Sequence, residues 1–201
     1  MQHASSRQTR PLTRVRAARC AGSAVPRRQS AGWLEHPSPS PALPPLEERI
    51  ASLYRSGEKN YARRPDLQAL VPQSLYERGR RAAHALAADT TPRVVLHGDL
   101  TPANVLDGGT ERGPVAVDPA PCWGDPAFDT VDLLMWGADD LASLTARAQG
   151  LGDRLGLPED RPLHWCAAFA AMVALEQAEA AGRDEPPPPR VPMLVDLARS
   201  T

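Results

Sequence analysis

In the run Val95-Leu96-His97-Gly98-Asp99-Leu100-Thr101-Pro102-Ala103-Asn104-Val105-Leu106, an aspartate and an asparagine stand with four residues between them. They follow a His-Gly corner that closes an apolar stretch. A carboxylate so placed can accept the proton of an attacking hydroxyl, and an amide oxygen so placed can hold a divalent cation. That division of labour is the one phosphoryl transfer uses. A second carboxylate, Asp118, closes the short apolar run Val115-Ala116-Val117. Phosphoryl transfer asks little covalent work of a protein beyond positioning, a base and neutralisation of phosphate charge. Asp99 is therefore the candidate base, and Asn104 and Asp118 are candidate Mg²⁺ ligands, both hard oxygen donors. His97 reads as a hydrogen-bonded, loop-shaping histidine in preference to a general base. Gly98 allows a strained backbone angle or a close contact. Leu100, Val105 and Leu106 are expected to anchor the loop in the core.

The elements that must hold these groups are legible on either side. Arg93-Val94-Val95-Leu96 reads as a short buried strand entering the loop. Val105-Leu106 gives a second strand, Asp107-Gly108-Gly109 a turn, and Val115-Ala116-Val117 a third strand. Upstream, helical character begins near Leu46 and runs through Leu53-Tyr54. A stronger helix spans about residues 74–88, with Ser74 as N-cap and Glu77 completing a capping box. Downstream, helices are expected at about 127–136, 139–155, 162–181 and 192–199. Gly156-Leu157-Pro158 and Pro186 to Pro189 interrupt them. The fold class is α+β, mostly helical, with a small β element at the catalytic loop.

Composition narrows the function classes. The chain has 201 residues, a formal net charge of -1 and 42% hydrophobic residues, enough for one domain with a real core. Near-neutral charge gives no reason to expect nucleic acid or a membrane surface as partner. No apolar run approaches the roughly 18 residues a membrane span needs, so the cytoplasm is the default compartment. Cys20, Cys122 and Cys166 are too widely spaced for a zinc site and read as buried or incidental free thiols. Residues 1–34 carry seven arginines and no acid. Together with the proline-rich stretch Pro37 to Pro45, they are expected to form a disordered leader, residues 1–45, ahead of a folded unit at 46–201.

At His97-Gly98-Asp99-Leu100 with Asn104-Val105-Leu106, the chain resembles the aminoglycoside phosphotransferase family, a branch of the protein-kinase-like fold. The nearer resemblance is to the streptomycin 6-kinases and the aminoglycoside/hydroxyurea resistance kinases. Val117-Asp118-Pro119 and Gly124-Asp125-Pro126-Ala127-Phe128-Asp129 look like that family's metal-binding segment and its descent into the next helix. The resemblance covers about residues 44–201 and implies a kinase-like C-terminal lobe. It makes Asp99 the base and Asn104 and Asp118 the Mg²⁺ ligands, with ATP as co-substrate. Asp129 would brace the loop through backbone hydrogen bonds, and Asp125 would do the same or cap the helix near 127. Trp123 would wall the substrate side or lie in the core. The acceptor implied is a small polycationic alcohol such as streptomycin, which suits a cleft lined with carboxylates. Asp139, Asp140, Glu176 and Glu179 lie on helices where that family builds its acceptor site, although a helix cap and a solvated face explain them equally.

The same resemblance implies an N-terminal lobe carrying a strand lysine for the nucleotide phosphates. Lys59, the only lysine in the chain, falls in a helical stretch, and arginine replaces such a lysine poorly. The expectation is a truncated enzyme, weakly active or inactive, with an apolar face where the absent lobe would dock. The alternatives are another small-molecule kinase of the same fold, or a non-catalytic C-lobe that binds a ligand or partner.

Overall fold

The computed structural model describes residues 43–89, 92–181 and 185–201. The basic leader up to residue 42 and Cys20 lie outside the described residues. The order of elements is α1 (Leu46–Arg63), a 3-10 turn at Pro65–Ala69, α2 (Gln73–Ala88) and β1 (Val94–Leu96). Another 3-10 turn, Pro102–Asn104, leads to β2 (Val105–Asp107), the short α3 (Gly109–Arg112), β3 (Pro114–Ala116) and β4 (Cys122–Gly124). A third 3-10 turn, Pro126–Thr130, precedes α4 (Val131–Met135), α5 (Leu141–Leu155), α6 (Arg161–Ala180) and α7 (Val191–Ala198). The result is α+β and mostly helical, as expected.

Helix α6 is the hub. Its residues Trp165 through Met172 are all buried, and a helix apolar on every side must be enclosed by neighbours. It packs against α1, α2, α5 and α7. Its alanines let those helices approach, while Trp165 and Phe169 pack with Phe128 and Tyr54. Each fully buried large side chain contributes about 1.5–3 kcal/mol. The buried tyrosine hydroxyls are all satisfied: Tyr54 donates to the Ala168 carbonyl at 2.8 Å, Tyr61 to Val71 at 2.9 Å and Tyr76 to Tyr54 at 2.6 Å. Those bonds stitch α1 to α2 and α6.

The β element is two antiparallel pairs in place of one hairpin. β2 pairs with β3, Leu106 opposite Val115, and β1 pairs with β4, Val95 opposite Trp123. Cys122-Trp123-Gly124 was not expected as a strand. Its three residues are too few to show alternation, and only the partner edge of β1 makes them extended. Leu106 corrects the expectation of a core anchor, being 51% exposed, with Val115 at 39%. Among the described residues no element packs on that face of the β2–β3 hairpin, which leaves its apolar cross-strand pair exposed.

Helix boundaries also differ. Ser74 is not the N-cap of α2: the helix starts at Gln73, after Pro72, whose carbonyl takes the Leu75 and Tyr76 amides. Proline's fixed φ sets that entry without a side-chain cap. The segment expected as one helix over 127–136 is a 3-10 turn followed by the five-residue α4, which Gly137 ends with φ 64°. Pro44 and Pro45, assigned to the leader, are part of the fold. The Pro44 carbonyl accepts the Trp123 amide at 2.9 Å, and Pro45 bridges to the same residue.

Candidate active site

Val94 and Leu96 are buried, and β1 delivers His97 to a corner that only glycine can turn. Gly98 has φ 75°, and a Cβ there would sit 2.0 Å from the Ala120 carbonyl oxygen. The corner is held from below by Asp129. Its Oδ2 accepts the His97 amide at 2.7 Å and its Oδ1 accepts the Gly98 amide at 2.9 Å. Burial pushes the Asp129 carboxyl above its ordinary pKa, while those two amides and His97 pull it back down. Beyond the corner, the Asp99 carbonyl accepts the Thr101 amide at 2.8 Å. The Thr101 carbonyl accepts the Asn104 amide at 3.0 Å, closing the 3-10 turn.

Asp99 is thereby aimed outward with both oxygens partly engaged. Its Oδ1 accepts from Arg49 Nη2 at 3.1 Å and its Oδ2 from Asn104 Nδ2 at 3.0 Å. A carboxylate offers about four acceptor positions, so it retains capacity for a further proton or donor. Asn104 Nδ2 also donates to the Asp99 carbonyl at 2.8 Å. With its nitrogen so committed, its Oδ1 is the atom left to face a cation. Asp118 stands exposed with a left-handed φ of 57°, a conformation that costs a non-glycine residue energy and is tolerated best by Asn and Asp. Its segment is tied to the loop at three points, one of them the Ala120 amide donating to the His97 carbonyl at 2.9 Å. The Val117 amide donates to the Asn104 carbonyl at 2.9 Å, and His97 Nε2 lies 3.1 Å from the Val117 carbonyl. A carbonyl only accepts, so Nε2 carries the proton and Nδ1 is free to face the Asp99 amide at 3.4 Å.

This donor set fits Mg²⁺. Among the described residues no three or more His, Cys, Asp or Glu side chains cluster to hold a metal. Mg²⁺ in phosphotransferases is bound through one or two protein oxygens plus water and substrate phosphates, not an all-protein cage. Asn104 Oδ1 and the Asp118 carboxylate are two such hard oxygens on neighbouring segments.

Asp99 opens onto a cleft of about 190 Å³, lined by Arg49, Leu53, Phe128, Asp132, Phe169 and Glu176 among others. Asp132 and Glu176 reach it from α4 and α6. Both residues are exposed on their helices, yet partial desolvation where they line the cleft raises both carboxyls; Asp99 raises Asp132 further, and Asp132 raises Glu176. Arg49 is the cation in this lining, and it works against the rise at Asp132. The other acids considered lie elsewhere. Asp140 caps α5, accepting the Ser143 amide at 2.7 Å, and Glu179 pairs with Arg63 at 2.9 Å. Asp139 is exposed and is not in the cleft lining.

Asp125 takes the helix-capping alternative. Its Oδ1 accepts the Ala127 amide at 2.9 Å, and its Oδ2 accepts Arg161 Nε at 2.7 Å and Trp165 Nε1 at 2.6 Å. Trp123 is buried. Cys122 and Cys166 are free and buried, and burial pushes the Cys122 thiol up to about 11. Arg49 and Asp132 escaped the reading of the sequence. Arg49 had a signal: Leu46, Arg49 and Leu53 share one helical face, so a cation interrupts an apolar stripe. Asp132 had none, because its setting depends on α6.

Comparison with known proteins gives one family match. The family model for aminoglycoside/hydroxyurea antibiotic resistance kinases matches residues 11–181. The match reaches further upstream than the resemblance over 44–201 and stops before α7. Neither a curated protein nor a solved structure matches the chain significantly. With more than half of its length matched by that family model, the chain belongs to the aminoglycoside/hydroxyurea antibiotic resistance kinases.

Proposed function

We propose that this protein transfers the γ-phosphate of ATP to a hydroxyl of a polycationic aminoglycoside such as streptomycin. The observation that carries the reading is the opening of the Asp99 carboxylate onto a cleft shared with Asp132 and Glu176. Three acids face one cation there, an excess of negative charge that a guanidinium- or ammonium-bearing acceptor relieves. In the transfer, the acceptor oxygen forms a bond to the γ-phosphorus as the bond to the ADP oxygen breaks, and the hydroxyl proton passes to Asp99. Asn104 and Asp118 would hold Mg²⁺, which supplies neutralisation of phosphate charge when bound. Asp129 and His97 keep the loop in place through the amide and carbonyl bonds described above. The exposed Leu106 and Val115 pair offers an apolar surface close to Asn104, suited to the flat face of a base. Dependence on ATP sets the work in the cytoplasm; no helix among the described residues is long and apolar enough to cross a membrane.

Positioning with charge stabilisation is nearly the whole mechanism of such a transfer. Radiolabelled phosphate from Mg·ATP should appear on streptomycin. Hydroxyurea serves as the neutral hydroxyl acceptor in a parallel reaction. Faster labelling of hydroxyurea than of streptomycin would overturn the polycation assignment. Absence of label on any acceptor would overturn the phosphotransfer reading.

A further inference from the structure

Arg49 stands apart from every residue so far given a chemical role, because it reaches the loop from a helix 50 positions earlier in the chain. Its guanidinium makes two directed contacts on consecutive residues: Nε donates to the Gly98 carbonyl at 3.0 Å and Nη2 to Asp99 Oδ1 at 3.1 Å. The first contact fixes where the fork sits, so the second fixes where the carboxylate sits. Asn104 holds the other carboxylate oxygen at 3.0 Å, and between them the Asp99 side chain is clamped across its plane.

The arm that carries Arg49 is itself rigid. Leu46, Ile50 and Tyr54 on the same helix are almost wholly buried. Ahead of them, the Pro44 carbonyl takes the Trp123 amide at 2.9 Å, and Arg93 pairs with Glu47 at 3.0 Å. Leu46 packs so close to Gly124 that a Cβ there would come within 2.5 Å of it. The first turn of α1 is thus bolted to β4, β4 pairs with β1, and β1 leads into the loop. Arg49 cannot drift relative to Asp99 without unmaking that frame.

We infer that Arg49 is a positioning residue for phosphoryl transfer, clamping the Asp99 carboxylate in the orientation that receives the acceptor proton. The assignment rests on the phosphotransfer reading of the site. A planar fork makes both contacts at once, whereas a lysine ammonium on a flexible stem makes one of them at a time. Displacing a reacting group by about 1 Å costs on the order of 100-fold in rate. Loss of the clamp therefore falls on kcat and leaves the nucleotide site, formed around Asn104 and Asp118, untouched.

The test compares the full-length chain with Arg49→Gln and Arg49→Lys, measuring radiolabel transfer from Mg·ATP to streptomycin and the binding of Mg·ATP by calorimetry. Arg49→Gln should lose kcat by about 30- to 100-fold, with the Mg·ATP Kd and the KM for ATP unchanged within about twofold. Arg49→Lys, which keeps the charge, should recover part of that loss. An active wild type matched within about threefold by Arg49→Gln overturns this inference alone, and so does a loss that appears only in KM. If Arg49→Gln does not fold, as read by circular dichroism, Arg49→Lys decides: a kcat equal to that of the wild type overturns the clamp. A wild type that labels no acceptor overturns the phosphotransfer reading and this inference with it.

Discussion

Arg161 meets Asp125 at 2.7 Å inside the protein, where the two side chains keep 9% and 3% of their exposure. Arg49 meets Asp99 at 3.1 Å on the wall of the cleft, at 25% and 39%. The pairs use the same two residue types, and the difference lies in what surrounds them. Asp125 accepts three donors, from Ala127, Arg161 and Trp165, and Arg161 also reaches Asp89 and the Leu86 carbonyl. A pair so enclosed and so fully bonded has nothing left to offer a substrate and serves to lock α2, the 125–130 turn and α6 together. Asp99 accepts two side-chain donors and faces open space, so its remaining lone pairs are available for a proton. Half-burial, with one side fixed and the other side open, is what separates a candidate base from a structural carboxylate.

Breaking the enclosed pair should give the largest effect on folding. Asp125→Ala strands Arg161 and the Trp165 indole without their buried acceptor, and breaking a buried pair costs about 3–5 kcal/mol. With Asp89 still bonded to Arg161, the lower end of that range is expected, read as a shift in the urea midpoint. A loss below about 1 kcal/mol would show that the pair is not the lock described here. Asp99→Asn should do the reverse. Its partner is partly exposed, so stability should change by less than about 1 kcal/mol, while removal of the base should lower kcat by about 10²- to 10⁴-fold. If Asp99→Asn unfolds the chain as readily as Asp125→Ala, the contrast fails.

The two aspartates were not equally legible in the sequence. The spacing of Asp99, Asn104 and Asp118 could be read because the loop is local: a few residues of fixed chemistry, bounded by short apolar runs. The long helices were readable for the same reason, since periodicity and proline breaks are carried along the chain. Asp125 remained ambiguous because its bond partners, Arg161 and Trp165, lie 36 and 40 positions away. β4 and the exposure of Leu106 were hidden likewise. Three-residue strands take their conformation from a partner, and burial depends on what packs over a face. Arg49 is the instructive case, since the helix that bears it was visible and only its distant target was not.

Asp129 sharpens the comparison from below the loop. It accepts two backbone amides with two oxygens, and Asp129→Asn offers one acceptor and one donor. The NH₂ must then face an N–H, leaving one partly buried amide unsatisfied, at a cost of about 1–3 kcal/mol. Because those amides belong to His97 and Gly98, the activity should fall with the stability. Asp129→Asn with wild-type kcat would mean that the loop holds its shape without the brace.

The smallest effect concerns the open side of the cleft and can be read in the dependence of stability on pH. Asp132 and Glu176 have carboxyls raised above their ordinary pKa, by desolvation first and then by neighbouring acids. Between the ordinary value and the raised one, the folded chain binds more protons than the unfolded chain. The slope of unfolding free energy against pH is then negative. Stability should therefore fall as pH rises through that window, and the fall should be complete once pH passes the raised value. The double variant Asp132→Asn with Glu176→Gln should shrink the fall without abolishing it, because Asp129 is raised in the same direction. Thermal melts of wild type and variant across that range give the measurement. Superimposable profiles would remove the charge crowding on which the polycationic acceptor rests. A reduced fall, together with weaker streptomycin binding by the variant at neutral pH, would tie the crowding to the ligand.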